Sequence, residues 1–311
     1  MLMKEYIQVD YIEEDFDSKN SAIYTISDLH IFHKNILTYN FDTRKKYLPK
    51  DVKKLLIWKD DKENKKILND YIESLDLLEK FKLLFKTSEW IINFLIKDVK
   101  EFYEQNKWKT LYYIDLWDFF FHINESKINI LLNEWKSLYK KLHKFFDLLQ
   151  ELWFQRYLIL WNHDNFDKEN IRNFYYEFFD IWTKSLCMFD KKNKKINVFT
   201  HVPLWTWLLI DWYHEERKFC KWLDKAILQR LTNFKNYEIT SYYWHTHDKY
   251  LFNRHYANKH NIEIDYSDYE NKKSEDDKLV DFMNNNVELK LCCFDYKYSK
   301  RKAKNKHIEN L

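Results

Sequence analysis

A chain of 311 residues that is 45% hydrophobic and 32% charged can bury a large core, as one large domain or two small ones, and is not intrinsically disordered. Its net charge of +3 is too small to argue by itself for nucleic acid or an acidic membrane. No apolar run approaches the length of a membrane span, which predicts no membrane insertion. The opening residues Met1–Tyr6 do not read as a signal peptide, and Cys187, Cys220, Cys292 and Cys293 form no C-x-x-C pair. The expectation is a reducing, cytoplasmic compartment and no cysteine metal site.

In chain order, Tyr6–Ile12 has strand character, and Ala22–His30 reads as a strand ending in Asp28-Leu29-His30. A period of two points Asp28 and His30 to the same side, where a carboxylate and an imidazole can grip one metal ion. His33 and Asn35 follow at what reads as a helix start, on the substrate side. Residues 40–108 carry helical spacing, as in Leu75, Leu78, Phe81, Leu84 and Phe85, then Trp90, Ile91, Phe94, Leu95, Val99 and Phe102. The charge run Lys59–Lys66 reads as a solvated loop.

Thr110–Phe121 is an apolar strand ending at acids, with Asp115 and Asp118 as candidates. Residues 125–152 read as one helix, on which His143 is structural. Tyr157–Leu160 is a buried strand running into Asn162, His163 and Asp164, a polar cluster at the strand end where open α/β folds place their chemistry. Residues 169–182 look helical and aromatic; Ile196–Thr200 is a strand ending at His201; residues 214–235 read as a helix, with His214 at the surface. Tyr237–Tyr243 is a strand closing in His245-Thr246-His247, and two imidazoles two residues apart are a good metal grip. Residues 265–281 read as an acidic loop, Asn286–Tyr296 as a last strand, and residues 299–311 as a polar, basic tail.

Composition holds one anomaly. Glycine is absent, against roughly 7% in ordinary chains. Tryptophan occurs 13 times, proline twice, and alanine only at Ala22, Ala226, Ala257 and Ala303. An AT-rich gene explains scarce glycine but not its loss beside excess tryptophan. A fold needs glycine where φ is positive or backbones approach closely. The hypothesis is that UGA is a glycine codon in the source and has been read as tryptophan; an indole mass at position 161 of the natural protein would sink it.

The ordered set of strand ends resembles the calcineurin-like metallophosphoesterase superfamily, whose pattern is D-x-H, G-D, G-N-H-[DE], H and G-H-x-H. Here these are Asp28-Leu29-His30, Trp117-Asp118, Trp161-Asn162-His163-Asp164, His201 and Trp244-His245-Thr246-His247. The resemblance spans residues 22–248. The motif glycines read Trp117, Trp161 and Trp244, and Trp153 also stands where a subgroup tends to have glycine. Phe32 replaces another common glycine, which recoding does not explain.

The resemblance implies an α/β fold: a four-layer α/β/β/α sandwich of two mixed sheets flanked by helices, in one domain over 1–311, with a helical insertion at about 40–108 that shapes substrate access. It implies two divalent metal ions, with Mn, Fe or Zn suiting the mixed nitrogen and oxygen donors. Asp28, His30 and His247 would hold one, Asn162, His201 and His245 the other, and Asp118 would bridge them. Two cations about 3.5–4 Å apart can activate a water and clamp both oxygens of an in-line displacement at phosphorus. His163 would act as general acid or stabilise charge on the phosphoryl oxygens, and Asp164 would orient it. The implied function is hydrolysis of a phosphomonoester or phosphodiester. The alternatives are a catalytically impaired scaffold binding a protein partner, which the indoles would favour, and a nuclease of the same superfamily. No nucleic-acid groove is visible in the scattered basic runs.

Overall fold

Among the described residues, eight strands hydrogen-bond into one curled, mixed sheet: β1 (Ile7–Asp15), β2 (Ser21–Ile26), β3 (Thr110–Asp115), β4 (Phe154–Ile159), β5 (Ile181–Asp190), β6 (Lys195–Thr200), β7 (Glu238–Tyr243) and β8 (Val287–Leu291). The computed structural model describes residues 7–27, 29, 31, 48–56, 61–116, 119–120, 123–160, 168–200, 216–243 and 275–291. The strand order is β2-β3-β4-β5-β6-β7-β8, with β1 paired to β5. Neighbours β2 to β5 are parallel, β5 and β6 are antiparallel, and β6 to β8 are again parallel. The class is therefore mixed α/β, as the resemblance implied.

The helices are α1 (Lys50–Leu56), α2 (Asp61–Ser74), α3 (Leu77–Gln105), α4 (Glu125–Asn133), α5 (Lys136–Glu151), α6 (Glu169–Tyr176), α7 (Glu216–Leu231) and α8 (Glu275–Asn286). Helix α3 starts in a capping box. The Asp76 carboxylate accepts from the Glu79 N–H at 2.7 Å, and Glu79 accepts from the Asp76 N–H at 3.3 Å. No described helix is long and apolar enough to cross a membrane.

Several boundaries differ from the sequence expectation. The helix expected over 125–152 breaks at Glu134 and Trp135, whose N–H groups both bond the Ile130 carbonyl, at 2.9 and 2.8 Å. The helix expected over 169–182 stops at Tyr176, and β5 begins at Ile181. Asp180 stands between them, its N–H on the Arg156 carbonyl at 3.0 Å and its carboxylate on the Arg156 guanidinium. The charge run Lys59–Lys66 is helical from Asp61 onward, and Asn64 within it is buried. The stripe through Leu75 is interrupted, because Leu75 and Asp76 separate two helices and Leu78 is 60% exposed. Of the acidic stretch 265–281, residues 275–281 belong to α8; residues 265–274 lie outside the described residues.

The strand pleat sorts side chains into separate cores. In β3, Leu111 and Tyr113 join the helices α3 to α6 in one cluster, while Tyr112 and Ile114 join another. That other cluster draws on the middle strands of the sheet: Tyr157 and Ile159 from β4, Leu186 and Met188 from β5, and Phe199 from β6. A third cluster packs Cys187, Phe189, Ile196, Val198 and Ile239 against α7 and α8. Helices α1 and α2 form a small cluster of their own around Leu48, Val52, Leu56, Leu68 and Ile72. These helices, with α3, occupy the span expected to be helical between 40 and 108.

Candidate functional site

The ends of five strands come together because of how β5 is shared. Along one edge β5 pairs with β1 from Ile181 to Phe189. Along the other it takes two partners in succession. Strand β4 runs parallel to it and ends with Ile159 against Thr183; the Leu160 N–H donates to the Thr183 carbonyl at 2.7 Å. Strand β6 runs antiparallel to it and ends with Thr200 against Ser185. The carboxyl ends of β4 and β6 therefore meet head to head across Lys184. The backbone of β5 at that junction is satisfied locally, since the Thr183 hydroxyl donates to the Ser185 carbonyl at 2.8 Å and accepts from the Ser185 N–H at 3.3 Å. Thr183, Ser185 and Thr200 are all buried.

The remaining ends are carried to the same line by their neighbours. Tyr242 of β7 pairs with Phe199 of β6, so these two strands end side by side. Asp115 of β3 pairs with Leu158 of β4 and with Ile26 of β2. Beyond them the chains following β2 and β3 stay joined. Leu116 donates to the Ile26 carbonyl at 2.8 Å, and Ile31 donates to the Phe119 carbonyl at 3.0 Å and bridges Phe120. Ser27, Leu29 and Ile31 are all buried.

Asp115 is fully buried in the strand end and accepts from the Tyr113 hydroxyl at 3.1 Å. Burial, with Asp115 next to it, pushes the Tyr113 phenol well above its ordinary range, so the phenol stays a donor. Of the two acids weighed at this strand, Asp115 is thus part of the β3 scaffold. The expected ligands Asp28, His30, Asp118, Asn162, His201, His245 and His247 lie outside the described residues. So do His163, Asp164, His33, Asn35 and His214. Among the described residues no group of three His, Cys, Asp or Glu side chains could hold a metal ion.

His143 is structural, as expected. Its Nε2 lies 3.2 Å from Glu177, which also accepts from the Tyr139 hydroxyl, and its ring packs between Tyr139 and Phe178. Cys187 is a free, buried thiol, its pKa pushed up to about 12 chiefly by burial. Sequence reasoning missed Thr183, Lys184 and Ser185, the residues on which the two sets of strands meet. The available signal was the set of large apolar residues Ile181, Trp182, Leu186, Met188 and Phe189 in the run Ile181–Asp190.

No protein-family model matches the chain, and neither the curated proteins nor the solved structures contain a match.

Proposed function

We propose that this chain is a metal-dependent phosphoesterase of the calcineurin-like metallophosphoesterase superfamily, acting on a phosphomonoester or phosphodiester in the cytoplasm. One observation carries the reading. The strands that precede all five candidate motifs, β2, β3, β4, β6 and β7, end along one line at the middle of β5. Motifs scattered from Asp28 to His247 in sequence therefore follow strand ends that are neighbours in space. Unrelated polar turns have no reason to fall only after strands that converge.

Two further features support it. Ser27, Leu29 and Ile31, which flank Asp28 and His30 in the chain, are buried, so the first motif lies in a segment packed into the fold. The three core clusters on the sheet, one of them spanning β3 to β6, suit a four-layer α/β/β/α sandwich. The donor set fits two divalent cations: carboxylates, an amide and imidazoles, with no thiolate, suit Mn, Fe or Zn. In this reading Asp28, His30 and His247 hold one cation, Asn162, His201 and His245 the other, and Asp118 both. When bound, the pair would activate water and neutralise charge developing at phosphorus. His163 delivers a proton to the leaving oxygen or stabilises the phosphoryl oxygens, and Asp164 fixes its tautomer.

The test is Mn-dependent hydrolysis of a bis-aryl phosphodiester by the purified chain, with and without a chelator. Asp118→Asn and His163→Ala are each expected to lower the rate by about 10²-fold or more. Activity that persists in both variants would overturn the site assignment.

A further inference from the structure

Helix α5 terminates in a conformation that favours glycine. Leu152 closes the helix with its N–H on the Leu148 carbonyl, and the next N–H, that of Trp153, turns back to the Gln150 carbonyl at 3.0 Å. Trp153 has φ of 59°, the left-handed region, immediately after the helix. Glycine is strongly preferred there because a Cβ crowds the neighbouring carbonyl. A bulky aromatic residue in this region is an outlier. The indole gains nothing in return, being 88% exposed.

Trp108 is similar in one respect. It lies in the turn from Asn106 to Lys109, closed by the Lys109 N–H on the Asn106 carbonyl at 3.0 Å, and is 97% exposed. The two turns lead into the paired strands β3 and β4, in which Leu111 faces Phe154. Other tryptophans behave as tryptophan should. Trp182 is buried with its ring stacked on Tyr176 at 4.3 Å, and Trp135 is buried against the edges of Phe81 and Phe85. Lys194 also has positive φ, but it is an exposed hairpin residue whose long polar side chain reaches water.

We infer that one letter stands for two residues in this chain: positions 153 and 108 are glycine in the protein as its own cell makes it, and positions 135 and 182 are tryptophan. The inference does not depend on the phosphoesterase reading. It rests on backbone geometry and exposure at position 153 and on exposure in a turn at position 108, both outside the motif set, together with a chain of 311 residues that contains no glycine and 13 tryptophans. It turns the recoding hypothesis into a sorting rule, because exposed turn tryptophans and packed tryptophans must come from different codons. A pair of exposed indoles could otherwise mark a docking surface, and in that case all four positions are tryptophan.

The gene and the natural protein decide it. UGA is expected at codons 108 and 153 and UGG at 135 and 182, with peptide masses from the native source giving glycine at the first pair and tryptophan at the second. UGG at codon 153, or an indole mass there, overturns the inference; UGA at 135 or 182 overturns the sorting rule. A second measurement uses synthetic genes encoding Trp153 and the replacements Trp153→Gly, Trp153→Asn and Trp153→Ala. If the left-handed backbone decides, the melting temperature ranks Gly above Asn above Ala, with Trp153→Gly about 2–6 °C above the Trp153 chain. A melting temperature that is unchanged or lower in Trp153→Gly counts against it.

Discussion

Against one face of β2, β3 and β4 lies a core of rings: Phe119, Phe120, Phe145, Phe146, Phe178 and Phe179 interlock around Tyr113. Against β6 and β7 lies a smaller, more aliphatic core, in which Leu223, Ile227, Leu228 and Leu231 of α7 meet Ile196, Val198 and Ile239. The first region also buries charge, in Arg156 and Asp98, while beside the second the charged pair Arg230–Glu13 stays at the surface and Asp190 is buried at the end of β5. The difference indicates where the fold is anchored. The β2–β4 half carries much of the buried area and its polar constraints, and the β6–β8 half is joined to it through β5 and β1. The ends of β4 and β6, which precede two of the candidate motifs, meet at that joint between the two cores.

The sharpest way to break this comparison is to open a cavity in each of the two cores. Phe146 is buried and meets five other rings, so Phe146→Ala should cost about 4 kcal/mol, at the upper end for a core aromatic. Leu228→Ala, in the smaller core, should cost about 2–3 kcal/mol. Urea unfolding midpoints measure both. Equal or reversed costs would mean that the β6–β8 half anchors the fold as strongly as the other.

The next effect tests the joint itself. Arg156 on β4 is 3% exposed, and its guanidinium donates twice to Asp180, at 2.9 and 2.6 Å, just before β5 begins. Removing the carboxylate leaves a buried cation without its partner, so Asp180→Ala should lose about 3 kcal/mol. The double replacement Arg156→Met with Asp180→Ala should recover much of that loss, because neither charge is then left buried alone. A double variant as unstable as the single one would show that the pair matters for its shape and not its charge.

How far this organisation could be read beforehand differs between elements for physical reasons. The strands before the motifs were visible because parallel strands covered on both faces are runs of apolar residues, as in Leu111–Ile114. Strand β5 was not, since Thr183, Lys184 and Ser185 interrupt its apolar run and the aromatic helix α6 lies just upstream. Those three residues are polar for a reason that only topology supplies: they sit where one edge partner stops and the next begins. The first part of helix α8 reads as loop in the sequence because acids and asparagines surround its few apolar residues, of which Leu279, Phe282 and Met283 are buried. The break at Trp135 is a tertiary effect, the ring being held by Phe81 and Phe85 of α3. Of the candidate site, the order of motifs along the chain was legible, but not the sharing of β5 that brings the strand ends together.

Smaller effects come from single polar contacts in the two regions. In the first, the Tyr24 hydroxyl on β2 donates to the Asp98 carboxylate of α3 at 2.6 Å, both side chains being buried. Tyr24→Phe removes the donor and keeps the ring, which also packs on Phe102 and Tyr113. The expected loss is about 1.5 kcal/mol by urea unfolding, since a buried carboxylate forfeits a short hydrogen bond. A loss below about 0.5 kcal/mol would indicate that the contact is replaced when the hydroxyl goes.

The counterpart toward the β6–β8 half is Asp190, at the end of β5. Its carboxylate accepts from the Ser18 N–H at 2.8 Å, from the Asn193 N–H at 2.8 Å and from the Asn193 side-chain amide at 2.7 Å. It thereby ties the β1–β2 turn to the β5–β6 hairpin. Burial alone raises its pKa, but these hydrogen bonds to the ionised form outweigh burial and hold it well below the usual carboxylate range. A folded-state pKa below the unfolded value means that the unfolded chain binds more protons as the solution is acidified. The contribution of Asp190 is therefore complete above the ordinary aspartate pKa near 3.8 and is lost as pH falls from there through the folded value. Asp190→Asn should lower stability by about 1 kcal/mol at neutral pH and flatten the stability profile below about pH 4. Hydrogen exchange measured at neutral pH on the β5–β6 hairpin should rise in this variant while that of β3 stays unchanged. Faster exchange in β3 as well would mean that the two halves open as one unit, and that the weaker core does not yield first.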